Sequence, residues 1–186
     1  MPDSNYFKDY FDHLHNRLQT ANTADLEQAA QLAHQAAQQK HKIICVGNGG
    51  SAAMASHVTV DLTKAAGMRA INFNEADLLT CFANDYGYEH WVAKALEFYA
   101  DEGDLVILIS SSGQSPNMLN GAKQAREMGL PILTLSGFRS DNTLKTLGDV
   151  NLWVDSTAYN IGEMTHHVWL LANIDYLIEQ KQDRAS

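Results

Sequence analysis

The chain has 186 residues, 45% of them hydrophobic, and its 13 Lys and Arg against 22 Asp and Glu give a formal charge of −9. That length suits one domain with a core of its own, the hydrophobic share excludes a wholly disordered chain, and no apolar run approaches the ~18 residues that would span a bilayer. The acidic excess argues against nucleic acid bound on a broad basic face; Cys45 and Cys81 form no CxxC, which leaves neither a disulfide scaffold nor a structural zinc site, and the polar Met1–Lys8 stretch is no signal peptide, so a reducing cytoplasm is the expected setting.

Two amphipathic helices are expected within residues 1–40. Tyr6, Phe7, Tyr10, Phe11, Leu14 and Leu18 recur at helical spacing. A second, Ala/Gln-rich helix runs from about Ala24 to Gln39, with Asn22 or Thr23 to cap it. The aromatics of the first helix are expected to serve the core, with a partner subunit as the alternative. From Lys42 the pattern changes to short, continuously apolar, β-rich runs at Lys42–Val46, Arg69–Phe73, Asp104–Ile109, Pro131–Leu135 and Val150–Val154. They alternate with helical stretches near Ala52–Ala66, Glu75–Ala83, Glu89–Ala100, Asn117–Met128 and Asn142–Leu147, and a last helix spans about Ile161–Gln180. Strands this apolar belong to a parallel sheet covered on both faces. The chain, 1–186, therefore reads as one α/β domain: a three-layer α/β/α sandwich on a five-stranded parallel sheet, with the N-terminal helical pair added for packing or oligomerisation.

Ligands of open α/β sheets bind at the carboxyl ends of the strands, and two turns there stand out. One follows the first strand, Gly47-Asn48-Gly49-Gly50-Ser51-Ala52; the other follows the third, Ser110-Ser111-Ser112-Gly113-Gln114-Ser115-Pro116. Each opens a helix, where backbone N–H groups and the positive end of the helix dipole meet, and Pro116 suits a first helical position because its missing N–H is not needed there. Val46–Val60 and Leu105–Ala122 contain no Asp, Glu, Lys or Arg. Such neutral loops suit a phosphate held by dipoles and hydroxyls. The first loop also fits G-x-G-x-x-A, a relaxed dinucleotide fingerprint with Glu75 as ribose partner, but that reading leaves the serine loop unexplained. No Gly-Lys-Ser/Thr ending makes a Walker A loop, and no G-x-S-x-G makes a nucleophile elbow.

These residues resemble the SIS (sugar isomerase) domain family, and within it the phosphoheptose isomerase branch. The likeness covers nearly the whole chain. It takes in the two N-terminal helices, Gly47–Ser51, His57 one turn before Asp61, Ala83-Asn84-Asp85-Tyr86-Gly87-Tyr88, Ile109–Ser115 and Ile161-Gly162-Glu163. The resemblance implies the SIS fold, a homotetramer with active sites shared between subunits, and a sugar-phosphate ligand. Ser110, Ser112 and Ser115, with Ser111 beside them, would hold the phosphate; Asn48, Gly49, Ser51 and Asp85 would line the sugar. The implied reaction interconverts sedoheptulose 7-phosphate and a manno-heptose 7-phosphate for surface polysaccharide such as lipopolysaccharide, with no nucleotide cofactor, no direct nucleic-acid partner and no membrane. Typical members carry glutamate where Asp61 stands, glutamine where Gly162 stands and histidine where Leu170 stands; with the residue matching His57 these hold a zinc in some members. Here His57 and Asp61 remain as metal-ligand candidates, with the nearby His166 and His167 as residues that could compensate.

Aldose–ketose isomerisation needs a base at carbon and donors at the oxygens. The candidates are Asp61, Glu163, His57 and one of His166 or His167, with His166 taken for the role; adjacent helical positions point ~100° apart, so the other is structural or exposed. The plainer alternatives pair Asp61 with Lys64 and leave Glu163 to stabilise its helix start. Tyr86, Tyr88 and Trp91 are expected in the core. The alternative function is a SIS protein without catalysis, one that binds phosphosugars or acts as a regulatory tetramer on the bacterial replication initiator.

Overall fold

A computed structural model describes residues 5–183; residues 1–4 and 184–186, with them the first half of the polar Met1–Lys8 stretch, lie outside the described residues. The elements follow as α1 (Tyr6–Leu18), α2 (Thr23–Gln38), β1 (Ile43–Gly47), α3 (Gly50–Lys64), β2 (Ala70–Asn72), α4 (Ala76–Tyr86), α5 (Trp91–Tyr99), β3 (Leu105–Ser110), α6 (Pro116–Glu127), β4 (Ile132–Ser136), β5 (Val150–Trp153) and α7 (Tyr159–Asp183). All strand pairs are parallel, in the order β2-β1-β3-β4-β5. This is the expected three-layer sandwich.

Alternation along the central strands feeds two apolar layers. Ile43, Cys45, Leu105, Ile107 and Ile109 pack with α2, α3 and α7, through Met54, Val58, Trp169 and Leu170 among others. Ile44, Val46, Val106 and Leu108 pack instead with α5 and α6, through Trp91, Leu96, Met118 and Ala122. Both faces of the sheet are thus buried, which is why its strands lack polar alternation. Asn22 caps α2 by accepting from the Ala24 N–H at 3.1 Å. At the amino end of the sheet, Asp104 (1% exposed) accepts from the backbone N–H of Lys42 at 2.6 Å and pairs with its ammonium at 2.7 Å, tying β1 to β3.

Three expectations are corrected. The aromatics of α1 do not enter the core: Tyr6, Phe7 and Phe11 are exposed, and no residue of α1 is buried. Of Tyr86, Tyr88 and Trp91, only Trp91 is buried. The helix expected at Asn142–Leu147 shrinks to a 3-10 turn, Leu144–Thr146. The Asn142 carboxamide explains that: it accepts from the Lys145 N–H and donates to Ser136 Oγ and to the Gly137 and Arg139 carbonyls. A side chain that satisfies so many loop groups competes with helical hydrogen bonding.

Candidate active site

The strand order reverses between β1 and β3, where residues 43–47 run in register with 105–109. From there α3 crosses to one face of the sheet and α6 to the other. A crevice must open between them, the standard ligand position in such sheets. It holds a cavity of about 210 Å³ lined by Asn48, Ser51, Ile109, Ser110, Ser111, Ser112, Ser115, Tyr159 and Glu163. A larger groove of about 270 Å³ between α2 and α7 is mostly apolar and gathers no comparable polar set. Chemistry, not size, selects the crevice.

No side chain caps α3 or α6, whose N-cap residues are Gly49 and Ser115. The Ser51 and Met118 N–H groups donate to the Asn48 and Ser115 carbonyls at 3.0 Å, so the Gly50 and Asn117 N–H groups are the ones left for water or a ligand among the described residues. Ser110 Oγ donates to Ser115 Oγ at 3.2 Å, and Ser112 Oγ accepts from the Gln114 N–H at 3.2 Å. Ser111 Oγ is buried beside this cavity without a hydrogen-bond partner among the described residues.

The two loops are fastened together. Asn48 Nδ2 donates to Asn117 Oδ1 at 3.0 Å, and Asn117 Nδ2 donates back to Asn48 Oδ1 at 2.8 Å. Tyr88 Oη donates to the same Asn48 oxygen at 3.1 Å. Asn117 is 1% exposed, so this reciprocal amide pair is costly to break. Asn48, expected to line the sugar, lines the cavity and also fixes the separation of the loops. Asn117 and Tyr88 were missed by sequence reasoning; the available signal was an amide in the first turn of the helix that the serine loop opens.

Helix α7 brings the acid–base groups. Glu163 lies against Gly50 so closely that a Cβ there would overlap its carboxylate and displace it. Desolvation holds the Glu163 carboxyl above its ordinary range. One turn on, His167 Nε2 stands 2.9 Å from His57 Nδ1, with the rings edge to face, while His57 Nε2 faces Asp61 Oδ2 at 3.3 Å. With Nε2–H donated to Asp61, His57 Nδ1 accepts the His167 Nε2–H. Burial first, then the neighbouring His57, push the His167 imidazole down, while Asp61 opposes them.

The remaining candidates fall elsewhere. His166 is fully buried, its Nε2 donating to the Ser136 carbonyl at 3.0 Å, so His167 takes the position expected of it. The structure pairs Asp61 with His57, not with Lys64, and neither His57 nor Asp61 belongs to the cavity lining. Asp85 is exposed, accepting from Asn84 Nδ2 at 2.9 Å, and also lies outside that lining, as does Gly49.

The zinc implied by the resemblance does not fit these residues. Gly162 offers no side-chain donor, Leu170 is packed in the core, and the two ring nitrogens of His57 are directed to different partners. Among the described residues no group of three or more His, Cys, Asp or Glu is arranged to hold a metal ion.

Fold and crevice define the class: an open parallel α/β domain with its ligand site at the reversal of strand order. Residues 5–137 match the SIS domain family, and the chain belongs to that family. It is 38% identical over 137 residues to the phosphoheptose isomerase of Aliarcobacter butzleri, covering 70% of this chain and 72% of that one. With the phosphoheptose isomerase of Cytophaga hutchinsonii it shares 32% identity over 160 residues, 83% of each chain. The structure of phosphoheptose isomerase from Neisseria gonorrhoeae matches with a TM-score of 0.85 at 26% identity, over 94% of this chain and 96% of that one. The Francisella tularensis phosphoheptose isomerase has the same fold, with a TM-score of 0.87 at 23% identity, over 97% of this chain and 100% of that one.

Proposed function

We propose that this chain is an aldose–ketose isomerase of the phosphoheptose type, interconverting sedoheptulose 7-phosphate and a manno-heptose 7-phosphate to supply heptose for surface polysaccharide. The observation that carries the reading is the convergence of the serine loop and the desolvated Glu163 on one cavity.

The phosphate sits among Ser110, Ser111, Ser112 and Ser115, held by hydroxyls and by N–H groups at the start of α6. No Lys or Arg lines that cavity, so binding relies on aligned dipoles. The reacting carbons C1 and C2 are remote from a C7 phosphate, which calls for catalytic groups away from the serine loop. Glu163 is the base that takes the proton from carbon; its raised pKa brings it toward the optimum for proton transfer near neutral pH. Asn48 and Ser51 offer hydrogen bonds to sugar oxygens. His167 and His57, oriented by Asp61, carry protons between the oxygens of the enediolate and solvent. None of these steps calls on a metal ion. The exposed aromatic face of α1 supports assembly into a homo-oligomer, in this family a tetramer. No described helix is long and apolar enough to cross a membrane, in keeping with a cytoplasmic enzyme.

The test is Glu163→Gln. We expect turnover of sedoheptulose 7-phosphate to fall roughly 10²–10⁴-fold, the usual contribution of a positioned base, with sugar-phosphate binding retained. Unchanged turnover would remove Glu163 from the mechanism. Gly162 and Leu170, which depart from the usual ligand set, favour a second reading: a non-catalytic phosphosugar-binding SIS protein, such as a regulatory tetramer on the replication initiator. In that case the unmodified chain binds the sugar phosphate and converts none.

A further inference from the structure

An exposed aromatic ring stands at the mouth of the polar cavity. Tyr159, the first residue of α7, lines it together with Glu163, one helical turn further on the same face. Tyr159 is 59% exposed, and its hydroxyl makes no hydrogen bond among the described residues. The core therefore does not account for this aromatic.

Its position is nonetheless fixed. Phe138 packs edge to face against it, with ring centroids 4.9 Å apart and planes at 72°. Phe138 has φ of +56°, a left-handed backbone that L-residues with a Cβ adopt at a cost. Two hydrogen bonds hold the backbone at this point. The Gly137 N–H donates to the Ser111 carbonyl at 2.9 Å, and the Phe138 N–H donates to the Ser156 carbonyl at 3.0 Å. The loop after β4 is thereby stitched to the serine loop on one side and to the approach to α7 on the other. A strained backbone held in this way beside a ligand cavity, presenting an aromatic pair, points to a function for the pair.

We infer that Tyr159 is a specificity-determining residue, a ring platform that covers the carbon chain of a bound sugar phosphate between the serine loop and Glu163, and that Phe138 is the residue that positions it. The inference rests on the function proposed above. Sugars present C–H surfaces as well as hydroxyls, and an aromatic face set over a polar cavity receives the C–H side by dispersion and by exclusion of water. Inorganic phosphate fills only the serine end and does not reach the ring. The platform therefore separates sugar phosphates from bare phosphate, which the uncharged serine loop alone does not do.

The test compares two ligands on three variants by titration calorimetry: sedoheptulose 7-phosphate and inorganic phosphate, on Tyr159→Ala, Tyr159→Phe and Phe138→Ala, beside the unmodified protein. Loss of the ring contact in Tyr159→Ala is expected to weaken sedoheptulose 7-phosphate about tenfold while inorganic phosphate binds within about twofold of the unmodified protein. Tyr159→Phe keeps the ring and recovers sugar-phosphate affinity to within about threefold; Phe138→Ala falls between the two, at about three- to fivefold weaker. The inference is overturned if Tyr159→Ala binds the sugar phosphate as tightly as the unmodified protein. It is equally overturned if both ligands weaken in proportion, which marks a merely structural residue. Failure of the underlying reading appears in the unmodified protein: it would bind no sugar phosphate, or would bind sedoheptulose 7-phosphate and convert none.

Discussion

Acidification should unfold this protein through one histidine. His166 is fully buried, its Nε2–H donates to the Ser136 carbonyl, and its Nδ1 has no hydrogen-bond partner within normal geometry among the described residues. Burial lowers its pKa from 6.5 to about 4 in the folded chain. A histidine depressed in this way is neutral when folded, so its contribution is fully present above pH 6.5 and is lost as pH falls toward 4. Across that window the unfolded chain binds one more proton at this site, a slope of about 1.4 kcal/mol per pH unit at most. Between pH 7 and pH 5 the loss comes to about 2 kcal/mol, and by pH 4 to about 3 kcal/mol, a large share of ordinary domain stability. His167 is shifted in the same direction and Glu163 in the opposite one, so the whole-protein profile does not isolate His166. His166→Gln does: the Gln amide can still donate to Ser136 and does not titrate. Urea unfolding of both proteins at fixed concentration, from pH 7.5 to 4.5, gives the two profiles. The variant begins less stable, and the gap should close by about 2 kcal/mol at pH 5. Parallel profiles would refute the reasoning.

Other outcomes follow from the same contacts. Gly113→Ala forces a Cβ onto the Asn142 carboxamide at a residue with φ of +63°, and should cost at least about 3 kcal/mol in urea unfolding while abolishing sugar-phosphate binding. Asn117→Ala leaves the Asn48 amide without its reciprocal partner; we expect a loss of about 1–3 kcal/mol in stability and a higher KM, with kcat affected less. His57→Phe removes the ring nitrogens that bridge His167 and Asp61, and should lower kcat roughly 10²-fold while inorganic phosphate still binds in calorimetry.

Sequence and structure agree where local chemistry speaks for itself. The Gly47–Ser51 and Ser110–Ser115 loops are legible because uncharged Gly and Ser runs at strand ends have few other uses, whereas the adjacency of their strands, β1 and β3, is a fact of the folded sheet. The fate of the α1 aromatics is not legible, because helical spacing reports an apolar face without saying what covers it. The choice between His166 and His167 fails for a related reason. Adjacent positions diverge by ~100°, and the phase of α7 is set by Trp169 and Leu170 packing into the core, a tertiary fact. Asn142 misleads because its capacity to bond loop carbonyls outweighs the weak helical pattern around it. The Asn48–Asn117 pair joins residues far apart in the chain, and no local pattern announces it.

The central claim, proton transfer between neighbouring carbons of a phosphorylated sugar, has a direct test. Purified protein is incubated with sedoheptulose 7-phosphate in D₂O and followed by NMR. The aldose heptose 7-phosphate is expected to appear with deuterium at C2, and neither change is expected with Glu163→Gln. Sugar-phosphate binding without isomerisation or exchange would contradict the claim.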